Sequence, residues 1–152
     1  FMYAAVDSST LVSLAWAGQL KLLELAPLDL VIPAEVIVET VEDGLDHGYP
    51  DAAAIEAAVK ALRISDPVAA PTVDESVLAV GRRLGALLTN DLALGRRAAN
   101  LSVRWLRTAD LVVLCVRTGR IPAVRGVAAV RALRGAGRIT DGLARTYLKE
   151  LT

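Results

Sequence analysis

The chain is poor in the residues that carry soft-metal and nucleophilic chemistry, with one cysteine, Cys115, and one histidine, His47. A Cys/His zinc cage is therefore excluded. One cysteine also excludes an internal disulfide framework and fits a reducing compartment. Cys115 lies in the apolar run Leu111-Val112-Val113-Leu114-Cys115-Val116, which reads as a buried, inert thiol. A Ser-His-Asp triad would have to use His47, from the polar stretch between Gly44 and Pro50, and is not expected. The chain has no Walker A motif and no G-x-G-x-x-G, and Gly135-Ala136-Gly137 reads as a turn between helices. Aromatic residues are only 4%, so no stacking platform for nucleobases is evident. Apolar residues make up 54%, yet no uninterrupted apolar run reaches the roughly 18 residues of a membrane span. No basic residue precedes the first apolar stretch, so no secretory signal is expected and the cytoplasm is the expected compartment. Repeats, low-complexity tracts and linkers are absent as well, and 152 residues are expected to form a single domain, 1–152, with a sizeable core.

Net charge is also missing, but its sum hides an asymmetry. Residues 1–80 hold 13 acidic and 3 basic side chains, a net of −10, and residues 81–152 hold 4 and 14, a net of +10. An acidic half suits cations and a basic half suits a polyanion. Two halves packed in one domain would also cancel each other's field. Of the 17 basic residues, 14 are arginine, the residue suited to bidentate phosphate contacts, although a coding bias toward Arg, Ala and Gly gives the same count.

Against these absences stands a regular alternation. Strands are expected over 2–6, 28–32, 63–65, 86–89 and 101–106. Helices are expected over about 9–17, 20–25, 33–43, 51–62, 71–84, 92–99, 109–118, 122–134 and 140–151. Residues 44–50 read as a loop. Alternation of this kind predicts an α/β fold, a three-layer α-β-α arrangement around a central, mostly parallel sheet of about five strands.

The chemistry gathers at strand ends. Asp7 follows the apolar run Tyr3-Ala4-Ala5-Val6 and opens a helix, and Asp91 follows Ala86-Leu87-Leu88-Thr89-Asn90 and does the same. In open parallel sheets, ligands bind beyond the carboxyl ends of strands, so neighbouring strands would bring these acids together. The plain alternative for either residue is a helix cap, and for Asp7 both roles are expected. Asp74 opens the helix leading into the second strand–acid junction. In Thr72-x-x-Glu75 the glutamate has a capping-box role available and Asp74 does not need one. Three converging carboxylates repel unless a cation joins them, and hard oxygen ligands suit Mg²⁺ or Mn²⁺. Glu35, Glu39 and Glu42, spaced four and three apart, share one face of a helix. Spacing alone does not choose among them, and a solvated acidic face explains the pattern equally well.

The ordered set of motifs resembles a known family. Val6-Asp7-Ser8-Ser9-Thr10-Leu11, Val31-Ile32-Pro33-Ala34-Glu35-Val36-Ile37-Val38-Glu39, Val73-Asp74-Glu75-Ser76, Leu87-Leu88-Thr89-Asn90-Asp91 and Arg96-Arg97-Ala98-Ala99 resemble PIN-domain proteins of the VapC-like toxin kind. The tail, from Thr108-Ala109-Asp110-Leu111 to Ile121-Pro122, resembles a PIN-like subfamily of largely unassigned function. The resemblance implies a divalent-metal-dependent ribonuclease using Mg²⁺ or Mn²⁺. Asp7, Asp74 and Asp91 would hold the metal, with Glu75 as a one-residue alternative to Asp74. Glu39 would be the fourth acid of the catalytic set. The family more usually has Glu where Asp74 stands, which alters the metal distance by one methylene. Ser9 and Thr89 would stand beside the acids as substrate-binding residues. Arg96 and Arg97 would contact RNA backbone, unless they form only a solvated helix face. The partners implied are single-stranded or structured RNA, with single strands favoured, a small cognate antitoxin, and a second copy in a homodimer. The competing expectation is a PIN scaffold that binds a partner and cleaves nothing. A haloacid-dehalogenase-type phosphatase fits poorly, because Ser8-Ser9 follow Asp7 where that family has a second aspartate.

Overall fold

The computed structural model describes residues 2–152. Five strands, β1 (Tyr3–Val6), β2 (Asp29–Pro33), β3 (Arg63–Ser65), β4 (Ala86–Leu88) and β5 (Arg104–Leu106), form one sheet in the order β3-β2-β1-β4-β5. Every pairing is parallel. Strand β1 is central, and its Ala4, Ala5 and Val6 are fully buried, as a strand covered on both faces requires. The sheet order turns back at β1, which pairs with β2 on one side and β4 on the other. The crevice between the ends of β1 and β4 is therefore the topological switch point, where open α/β sheets bind ligands.

Helices cover both faces, giving the three-layer α/β architecture. Helix α1 (Ser8–Trp16) follows β1, and the short α2 (Leu22–Leu25) leads into β2. After β2 the chain stays helical through α3 (Ala34–Ile37), a π-helical turn (Val38–Glu42) and α4 (Asp43–Asp46), then enters α5 (Pro50–Val59). Helix α6 (Val73–Leu84) packs on β1, β2 and β4, and α7 (Leu92–Asn100) packs on α6 and β5. Parallel crossovers are right-handed. The crossovers running from β1 toward β3 and those returning toward β5 therefore place their helices on opposite faces. The closing helices α8 (Thr108–Arg117), α9 (Ala123–Gly135) and α10 (Asp141–Leu151) pack on one another, and α8 and α9 also pack on α1.

Three local expectations need correction. The third helical segment does not end at Asp43 but runs to Asp46, leaving only 47–49 as the connection. Gly44 does not break it: a Cβ there would lie 2.8 Å from the Cβ of Ala52, so glycine is what lets α4 and α5 approach. Strand β5 starts at Arg104 rather than at 101, because Leu101 and Ser102 form a turn with Ser102 at φ 61°. Asp7 stands at the N-cap position of α1, yet its side chain makes no capping hydrogen bond.

Candidate active site at the β1/β4 switch point

Asp7 is held by the strand next to it. Its backbone N–H donates to the Leu88 carbonyl at 3.0 Å, extending the β1/β4 pairing one residue past Val6. Its side chain, only 4% exposed, accepts at Oδ2 from the hydroxyls of Ser9 (2.7 Å) and Thr89 (2.8 Å). A hydroxyl has one proton to give and lone pairs to receive. Ser9 Oγ receives the Asn90 N–H at 3.0 Å, and Thr89 Oγ1 receives the Asp91 N–H at 3.0 Å. Each hydroxyl thus links the backbone of the β4–α7 turn to the Asp7 carboxylate. The missing cap is explained by this competition: two charge-assisted bonds, one local from Ser9 and one from Thr89 beyond the neighbouring strand, outweigh one bond to the helix end. Oδ1 has only a long 3.5 Å contact with Ser8. Asp91, in contrast, does cap α7, its Oδ1 accepting from Leu94 N–H at 3.1 Å.

The remaining acids sort themselves by position. Asp74, in the first turn of α6, lines the same cavity as Asp7 and Asp91. Its neighbour Glu75 lines a separate shallow groove with Leu78, Arg82 and Arg97. Its N–H is capped by Thr72 Oγ1 at 3.2 Å. Partial burial, then the nearby Asp7 and Asp91 charges, raise the Asp74 carboxyl above its ordinary value, with Arg97 opposing.

The three glutamates do not share a face, because the π turn adds a residue to the helical period between them. Glu39 lines the acidic cavity. Glu35 turns inward, where Oε2 accepts from Val68 N–H at 3.0 Å and Oε1 is buried without a partner. Glu42 is exposed and away from the cavity.

The cavity has a volume of about 690 Å³, within the range of small-molecule sites. Asp7, Glu39, Asp74 and Asp91 line it together with Ser9. Thr89 is fully buried behind Asp7 and acts on that carboxylate rather than at the cavity wall. Arg96 and Arg97 are both exposed on α7 and neither lines the cavity. Arg97 reaches it only through its charge on Asp74. His47 caps its own helix, with Nδ1 2.7 Å from the Asp43 carbonyl, and is not a cavity residue.

Several cavity residues carry no signal in the sequence. Arg138, from the turn after α9, inserts between α1 and the β4 end. Its Nε donates to Ser13 Oγ at 2.9 Å, and its carbonyl accepts from Asn90 Nδ2 at 2.8 Å. Its guanidinium lies 4.8 Å from the centroid of the Trp16 ring, whose Nε1 donates to Asp51 Oδ2. The Arg138–Ser13 contact spans 125 residues of sequence, and only the fold brings the two together.

The donor set around the cavity is all hard oxygen, which fits Mg²⁺ or Mn²⁺ and not a thiophilic ion. Among the described residues, no three Asp, Glu, His or Cys side chains converge tightly enough to form a ready-made cage. That is compatible with Mg²⁺, which keeps several of its waters and binds through one or two carboxylates. Burial lifts the Asp74 carboxyl first, and the Asp7 and Asp91 charges add to it; that second contribution is what a cation between the acids would relieve.

No curated protein and no solved structure matches the chain. A family model, DUF3368, described as a PIN domain, matches residues 3–152. With a match of that extent, and with the parallel sheet and its acidic switch point as described, the chain belongs to the PIN-domain family.

Proposed function

We propose that this protein is a divalent-metal-dependent endoribonuclease and the toxin of a type II toxin–antitoxin pair. PIN domains are nuclease folds, and one observation carries the finer reading. Asp7, Asp74, Asp91 and Glu39, from four separate segments, line one cavity at the sheet's switch point. The toxin role rests on the resemblance to VapC-like proteins. So do the small antitoxin that would cover the acidic cavity and the homodimer. We further propose that residues 1–152 act as one domain in the cytoplasm. Among the described residues no helix is long and apolar enough to cross a membrane, and Cys115 is buried and unpaired.

Asp7, Asp74 and Asp91 would hold Mg²⁺ or Mn²⁺. When bound, the ion supplies a water activated for in-line attack on a phosphodiester and stabilises charge on the leaving oxygen. The chain's own contribution is positional. Ser9 and Thr89 fix Oδ2 of Asp7, which leaves Oδ1 for the cavity. The Leu94 N–H fixes Asp91. Glu39, exposed on the cavity rim, orients water. The test is cleavage of RNA by purified protein in Mg²⁺ or Mn²⁺. Asp7→Asn and Asp91→Asn should abolish it while both variants stay folded, and unchanged cleavage by both would remove the assignment. That no three such ligands converge among the described residues favours a second reading, a non-catalytic PIN-fold binding module. Failure to bind Mn²⁺ in titration, together with no cleavage of any RNA, would favour that alternative.

A further inference from the structure

The low aromatic content of the chain conceals a local concentration. Two of its six aromatic residues, Trp16 and Tyr49, line the acidic cavity and are 55% and 62% exposed. Large exposed aromatics are costly to leave in water, and here both stand at the wall of one concave site. Trp16 is held in place twice, by its Nε1–H bond to Asp51 and by the Arg138 guanidinium over one face. More than half of its surface is open even so, which leaves ring area for a planar partner. Arg138 is the one basic residue lining the cavity among the described residues. Its Nε is bound to Ser13, and no protein group among the described residues accepts from its two Nη groups. A guanidinium with Nε anchored presents those groups as a fixed fork, the geometry that matches a phosphate.

We propose that Trp16, Tyr49 and Arg138 form a subsite for one unpaired nucleotide of a single-stranded polynucleotide at the wall of the acidic cavity. The base stacks on the aromatic rings and its phosphate meets the Arg138 fork. The choice of a polynucleotide as ligand rests on the ribonuclease reading above. The geometry adds a requirement for a base free of its pairing partner, since a paired base cannot offer its face to a side chain. Tyr49 follows the α4 turn and Trp16 ends α1, so the subsite is built from segments other than the strand ends that carry the aspartates.

The experiment measures binding of an unstructured oligouridylate of about eight nucleotides in Ca²⁺, by anisotropy, with RNA cleavage in Mn²⁺ assayed separately. Trp16→Ala and Tyr49→Ala should each weaken binding about tenfold or more and leave the melting temperature close to wild type. Trp16→Phe, which keeps a ring, should recover part of the loss. Arg138→Lys, which keeps the charge without the planar fork, should weaken binding as well. A duplex of the same length should bind at least tenfold more weakly than the single strand. Affinities of both alanine variants within twofold of wild type, or equal binding of duplex and single strand, would overturn the subsite. If wild type cleaves RNA in that case, the ribonuclease reading stands without it. If wild type cleaves nothing yet binds the single strand through Trp16 and Tyr49, the subsite is upheld and the nuclease reading fails.

Discussion

Replacing Thr89 by valine tests the physical basis of the site in the absence of any ligand. Valine keeps the shape of threonine and removes only the hydroxyl. That hydroxyl is fully buried, donates to Asp7 Oδ2 at 2.8 Å and accepts from the Asp91 N–H at 3.0 Å. The first bond is to a charged group, worth roughly 1.5–3 kcal/mol, and the loss of the second strands a partly buried N–H at about 1–3 kcal/mol. Ser9 still donates to the same Asp7 oxygen, and relaxation of the 90–91 turn offsets part of the loss. A net destabilisation of about 2–4 kcal/mol is expected, a sizeable part of the roughly 5–15 kcal/mol of an ordinary domain. Urea unfolding at pH 7 in EDTA measures it. Thr89→Ser, which keeps both bonds and loses a methyl group, should cost about 1 kcal/mol. A valine variant as stable as wild type, or a serine variant as damaged as the valine one, would refute the claim that the hydroxyl ties β4 to Asp7.

Four further outcomes follow from the same geometry. The Asp74 carboxyl is raised from 3.8 in the fold, so its share of stability is full below that pH and is lost as pH rises through its folded value. In EDTA at pH 7, Asp74→Asn should therefore melt at or above wild type, as differential scanning fluorimetry would show. Adding Mg²⁺ to wild type should raise its melting temperature, by the equivalent of about 2.7 kcal/mol at a hundred times the dissociation constant, and Asp74→Asn should respond less. Glu39→Gln should reduce RNA cleavage about tenfold or more while Glu42→Gln leaves it unchanged, a contrast that initial rates would reveal. Gly95→Ala should destabilise by about 1–3 kcal/mol in denaturant titrations. The added Cβ would lie 2.0 Å from Trp105, whose indole N–H is bound to the Thr89 carbonyl.

Much of this molecule can be read from local pattern. Alternating apolar and helical stretches reveal the parallel sheet, because buried strands such as Ala4-Ala5-Val6 and Ala86-Leu87-Leu88 are short, continuous and ended by polar turns. The acids at 7 and 91 are legible for a related reason: Asp7 directly follows a buried strand, and Asp91 closes the short polar turn after another. Asp74 and its neighbour Glu75 stay alternatives in the sequence, and only the fold separates them, with Asp74 at the acidic cavity and Glu75 at another groove. The face holding Glu35, Glu39 and Glu42 misleads, since an unbroken 3.6-residue period is assumed and a π turn intervenes. Gly44 misleads as well: a glycine that permits helix contact looks, in sequence, like one that ends a helix. The unused Asp7 cap is not legible in sequence because one of the two hydroxyls that hold its carboxylate, that of Thr89, lies 82 residues away. Arg138 and the paired use of Trp16 with Asp51 depend wholly on long-range packing. The arginines expected at the substrate, Arg96 and Arg97, are outside the cavity, and the basic residue inside it comes from the last third of the chain.

The central claim is that the acids around the β1/β4 crevice cleave RNA with a divalent ion. Its most direct test measures cleavage of a single-stranded RNA by wild type, Asp7→Asn and Asp91→Asn proteins across a Mn²⁺ titration, with folding verified by melting curves. The account expects Mn²⁺-dependent cleavage by wild type, abolished by EDTA and lost in both folded variants. Cleavage that persists in EDTA, or that both variants retain, would contradict it.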